Sequence, residues 1–181
     1  MNKSDQYFSL PVGKTEALCP IGEVVGNRNL AQGRVPVLSC EGACIRGEIA
    51  RLAANLVAKE EPYSRACHGE LFSVPDSAMS QWVRTSAKVV LIDGCFLRCH
   101  GRILENLIGK EKLLQFDALS VYKKYTDVFD IDDVPEVQRK EAATQVAAAV
   151  LAKLKEASVG GAATPKEAAS GTQPQELGPC S

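Results

Sequence analysis

Residues 88–95, Lys-Val-Val-Leu-Ile-Asp-Gly-Cys, decide how the rest of the chain is read. Val89 to Ile92 are aliphatic and mostly β-branched, with no polar residue alternating between them. That is the pattern of a strand buried on both faces rather than one. It runs directly into Asp93-Gly94, a turn pair, and then into a thiol, Cys95. A doubly buried strand needs helices above and below it, which is the setting of a parallel sheet.

Working toward the N-terminus, VPVLS (35–39) is a second run of the same kind. Beyond the loop CEGACIRG (40–47), Ile49, Leu52, Ala53, Leu56 and Val57 fall on one face of a helix predicted over about 48–59. Residues 63–66 read as a short strand ending at Cys67. A helix carrying Met79, Trp82 and Val83 follows Pro75-Asp76, with Asp76 expected to cap it. Toward the C-terminus, Ile103, Leu104, Leu107 and Ile108 predict a helix stopped by Gly109. Residues 114–121 predict a fourth strand around Phe116, Leu119 and Val121. Pro135 suits the first turn of a long helix over about 135–157, whose stripe is Ala143, Val146, Ala147, Val150 and Leu154. Strands alternating with helices imply a three-layer α/β fold around a small parallel sheet of about four strands, Rossmann-like or flavodoxin-like.

Composition divides the chain into three parts. Residues 1–34 are rich in turn formers (Pro11, Gly13, Pro20, Gly22, Gly26, Gly33) and are expected to be an irregular extension packed on the domain. Residues 35–157 form the α/β domain. Residues 158–181 are Ala, Gly, Pro, Thr, Ser and Gln without an aromatic residue, and are expected to be disordered. With 181 residues and 45% hydrophobic content, the chain holds one domain with a real core. Its 21 basic and 22 acidic residues give no basic excess, so nucleic acid is not an expected partner. No stretch approaches the roughly 18 apolar residues of a membrane helix. The opening MNKSDQYFSLPVGKTE lacks the apolar core of a secretory signal, so a cytoplasmic location is expected.

Seven cysteines in a reducing compartment point to metal binding or thiol chemistry rather than to disulfides. The bland alternative is that each is a small buried hydrophobe. Grouping weighs against it: Cys40, Cys67 and Cys95 each follow a predicted strand, and a parallel sheet brings its carboxyl ends to one edge, where ligands bind. Cys44 and Cys99 lie four residues after Cys40 and Cys95, a spacing that shares a face if the second thiol opens a helix. Helix N-termini favour thiolates. Zinc takes about four such ligands. His68 and His100, each directly after a cysteine, can add nitrogen or orient the site from outside it. Gly42, Gly69, Gly94 and Gly101 suit loops around an ion and ordinary βα turns equally. Cys19 and Cys180 read as incidental, and Asp93 as a turn cap. A softer ion or an iron–sulfur cluster is the second possibility for so many donors.

VVLIDGCFLRC (89–99) resembles the central motif of the DGC-domain family. The early Cys-x-Gly loop of that family, leading to a helix, is matched by Cys40-Glu41-Gly42 and Gly47-Glu48-Ile49-Ala50. Its mid-chain strand-end cysteine is matched by Cys67, and the cysteine shortly after the DGC triplet by Cys99. The resemblance covers roughly residues 35–157. It implies one zinc ion with Cys40, Cys67, Cys95 and Cys99 as ligands, and no settled activity. Cys44 stands where a small polar residue is more usual, and His68 and His100 are additions to the pattern, so these three extend the possible ligand set.

Other readings compete. Cys40 to Arg46, a cysteine and an arginine flanking five residues, is similar to the anion-binding loop of low-molecular-weight tyrosine phosphatases and arsenate reductases. It would make Cys40 a nucleophile and Arg46 the oxyanion grip. Gly47 replaces the serine usual there. Asp127, Asp130, Asp132 and Asp133 are the acids available to a leaving group. This reading leaves Cys67, Cys95 and Cys99 without a role. Dithiol redox cycling of the two Cys-(three)-Cys pairs is a third reading, and a binding module with a structural metal a fourth. Whether the chain is an enzyme stays open at this level.

Overall fold

The computed structural model describes residues 8–13 and 15–159. Four strands, β1 (Val35–Ser39), β2 (Tyr63–Arg65), β3 (Val89–Asp93) and β4 (Leu113–Asp117), form one all-parallel sheet in the order β2-β1-β3-β4. Helices cover both faces, giving the three-layer α/β fold that the alternation of elements implies.

Alternating side chains explain why the central strands are apolar up to their last residues, Ser39 and Asp93. Val37 of β1 and Val90 and Ile92 of β3 enter one core. There they meet Ile45, Ile49 and Ala53 of α2 (Ile45–Val57) and Ala143, Val146 and Val150 of α7 (Glu136–Val159). Leu38, Val89 and Leu91 enter a second core. It is closed by Leu71 of α3 (His68–Ser73), by Met79, Trp82 and Val83 of α4 (Ala78–Thr85), and by Leu104 and Ile108 of α5 (Cys99–Ile108).

The N-terminal region differs from its expected irregularity. Residues Pro20–Ala31 form a regular helix, α1, with Pro20 in its first turn and Cys19 as N-cap. Its buried residues are Gly22, Gly26 and Asn29, so its packed face gives no hydrophobic periodicity to read. The glycines are contact points rather than turns. A Cβ on Gly26 would overlap the backbone of Ala78 and Met79. The Glu23 carboxylate accepts the Ala78 N–H at 2.8 Å and so caps α4.

Smaller differences have local causes. β4 stops at Asp117 because Ala118 takes a helical backbone, φ −63° and ψ −44°, while its N–H still donates to the Asp93 carbonyl at 2.9 Å; Leu119 and Val121 then lie in a short helix, α6 (Leu119–Tyr122). Ser77, not Asp76, caps α4, its hydroxyl accepting the Ser80 N–H at 3.1 Å. α2 starts at Ile45, before the expected 48. The expected tail, from residue 160 on and including Cys180, lies outside the described residues. Among the described residues, no helix is long and apolar enough to cross a membrane.

Candidate functional site at the carboxyl edge of the sheet

β1 lies between β2 and β3, so Cys40, one residue past β1, falls between Cys67 and Cys95, each two residues past its own strand. The Cys40 N–H continues the ladder to the Ile92 carbonyl at 2.8 Å, which fixes the start of its loop. Three helices begin at the same edge. Cys44 is the N-cap of α2, Cys67 the N-cap of α3, and Cys99 the first residue of α5. The fold therefore brings five thiols and both histidines to one edge. Cys40, Cys44 and Cys95 are partly buried, Cys67 and Cys99 exposed, and every cysteine among the described residues is a free thiol.

Two neighbourhoods are distinct within this edge. The first holds Cys40, Cys44, Cys95 and Arg46. Burial pushes the Cys40 thiol up, and Asp93 and Cys44 add to the rise, against the N–H groups of Gly42 and Gly94. The Gly42 N–H reaches its sulfur at 3.4 Å. Burial raises Cys44 as well. There, however, the Gly47 N–H together with the guanidinium and N–H of Arg46 outweighs it, and the thiol lies below its ordinary value. Gly47 is needed for this turn because a Cβ there would run into the Gly42 carbonyl. Arg46 thus faces Cys44, with Cys95 and Tyr122 further out. A phosphatase-type loop would need the depressed thiol at Cys40. Tyr122 is 6% exposed, its hydroxyl has no hydrogen-bond partner, and burial pushes it well above the usual phenol range.

The second neighbourhood is a pair of Cys-His-Gly turns, 67–69 and 99–101. The two imidazoles meet edge-on, with ring centroids 4.8 Å apart, and Phe72 backs His68 at 5.4 Å. His68 Nε2 and His100 Nδ1 are buried without a hydrogen-bond partner. Burial, then His100 and Arg65, lower the His68 pKa to about 3, so its ring is neutral at ordinary pH.

Asp93 holds the frame rather than facing the thiols. It is 1% exposed; Oδ2 accepts the Gln115 amide at 2.6 Å and Oδ1 the Gly101 N–H at 3.4 Å. Arg98, in a left-handed conformation at φ 50°, reaches both Gln115 and Glu105. This network pins the start of α5, and Cys99 and His100 with it. Sequence reasoning missed Gln115, Arg98 and Tyr122. A glutamine between the apolar residues Leu113, Leu114 and Phe116 was the one signal that marked Gln115.

Thiols and neutral imidazoles are donors that zinc accepts, and two buried ring nitrogens without partners are positions such an ion would satisfy. As the side chains stand, no three His, Cys, Asp or Glu among the described residues are close enough together to hold an ion.

No curated protein and no solved structure matches the chain. The sequence profile of the DGC domain matches residues 36–141, a span that contains all four strands apart from Val35 and every thiol and imidazole of the sheet edge. The chain therefore belongs to the DGC domain family.

Proposed function

We propose that this chain binds one zinc ion at the carboxyl edge of its sheet, through thiolates drawn from Cys40, Cys67, Cys95 and Cys99. The observation that supports this best is the strand order, which puts the ends of three adjacent parallel strands side by side, each followed within two residues by a cysteine. Ions and ligands bind at such edges because the loops diverge there and leave a crevice. Bound zinc would supply a positive charge that keeps thiolates ionised and an acid able to polarise a small ligand. Both faces of the sheet carry apolar cores, which argues against an ion whose sole role is to fold the domain. Those cores favour metal handling, sensing or thiolate chemistry as the role of the centre.

Zinc titration of the purified chain tests this, beside a variant in which all four cysteines are serine. The wild type should take up zinc and lose free-thiol reactivity in step. The variant, checked for fold by circular dichroism, should take up none. Equal uptake by the folded variant, or no uptake by the wild type, would end the proposal.

A further inference from the structure

The same tripeptide, Cys-His-Gly, occurs at 67–69 and 99–101, and each copy opens a helix, α3 and α5. The fold sets the two copies against each other, with imidazoles in contact at 4.8 Å. Each ring leaves a buried nitrogen, His68 Nε2 and His100 Nδ1, with no partner. A buried unpaired polar atom keeps the cost of its lost hydration, and two of them in touching rings on different helices call for a shared partner. Among the described residues neither nitrogen has a partner: Phe72 backs His68, and the nearby Arg65 is a donor only, engaged with the Val37 carbonyl and Glu41.

We infer that His68 and His100 are nitrogen ligands, and that the zinc centre is a mixed imidazole–thiolate one formed by the two Cys-His-Gly turns. This rests on the reading that zinc binds at this edge of the sheet, and within it replaces two of the four candidate thiolates, Cys40 and Cys95, by the two imidazoles. Two imidazoles leave two places in a tetrahedron. Cys67 and Cys99, each next to one of the histidines, fill them. As the side chains stand these four donors are not gathered, but both thiols are exposed, so no packing fixes their rotamers and they can turn toward the rings. Cys40 and Cys95 belong instead with Arg46 and Cys44, where Cys40 already accepts the Gly42 N–H. Such a centre is neutral overall, whereas zinc with four thiolates carries a double negative charge. The pinning of Gly101 by Asp93 acquires a purpose: it holds one of the two turns in register with the other.

X-ray absorption of the zinc-loaded wild type tests this without any substitution. About two nitrogen neighbours near 2.0 Å and two sulfurs near 2.3 Å are expected; a shell of four sulfurs overturns the inference. Competition with a chromophoric chelator then compares three variants. His68→Gln/His100→Gln and Cys67→Ser/Cys99→Ser should each bind zinc at least about tenfold more weakly than wild type, and Cys40→Ser/Cys95→Ser should bind it equally well. Unchanged affinity in the histidine variant would refute the ligand assignment and leave zinc binding itself intact. A wild type that takes up no zinc would instead refute the parent reading.

Discussion

Gln115 Nε2 donates to Asp93 Oδ2 at 2.6 Å, joining the end of β3 to the middle of β4 beneath the loop that carries Cys95. The other oxygen of Asp93 accepts the Gly101 N–H, so one buried carboxylate ties a strand end, a neighbouring strand and the first turn of α5 together. Asp93→Ala would leave the Gln115 amide and the Gly101 N–H without this partner. It should destabilise the domain by about 1–3 kcal/mol in urea unfolding. A change below about 0.5 kcal/mol would show that water replaces the carboxylate without penalty.

Close approach at Gly47 gives a second test. A Cβ there would overlap the Gly42 carbonyl, whereas one on Gly69 would lie 3.7 Å from the Cys67 sulfur, an ordinary contact. Gly47→Ala should therefore cost about 1–3 kcal/mol and displace the loop between Cys40 and Cys44. Gly69→Ala should be close to neutral. Equal stability of the two variants would contradict the packing of α2 against its own entry loop.

Cys44 and Cys40 should separate in reactivity. Burial raises both, but the Gly47 and Arg46 groups around Cys44 bring its thiol below the ordinary value while Cys40 stays above it. The thiolate is the nucleophile. In chelator-treated protein near neutral pH, iodoacetamide should therefore modify Cys44 faster than Cys40, read by peptide mass. Arg46→Gln should slow Cys44. The sign for stability follows: a thiol depressed in the fold adds stability above its unfolded pKa, and that contribution is lost as pH falls through the folded value. Equal alkylation of Cys40 and Cys44 would contradict the arrangement.

Trp82, the sole tryptophan of the chain, fills the second core at 1% exposure and donates Nε1–H to the Arg34 carbonyl at 2.9 Å. Trp82→Phe removes that donor and leaves part of its volume empty, at a cost of about 1–3 kcal/mol by denaturant unfolding. Wild-type fluorescence should shift to longer wavelength in the same transition that circular dichroism records. Two separate transitions would contradict a core shared by both strands and helices.

The sheet was legible because β1 and β3 are buried on both faces and so carry unbroken apolar runs, and because parallel pairing follows from alternating elements. α1 was not, since the face it buries is made of Gly22, Gly26 and Asn29, which give no apolar stripe. The gathering of Cys40, Cys67 and Cys95 at one edge followed from topology and is seen in the strand order. The split of the edge into two neighbourhoods was not legible. Which thiol Arg46 faces depends on the turn at Gly47, and the contact between His68 and His100 depends on how α3 and α5 enter. Those are side-chain directions set by packing, and spacing along a chain does not encode them.

The most direct measurement is elemental analysis of the chain purified without oxygen, with free thiols counted before and after chelator. About one zinc per chain, with thiols that become reactive only once the metal is removed, is the expected result. A chain free of metal that takes up none when zinc is supplied, with every thiol reactive from the start, would contradict the metal centre.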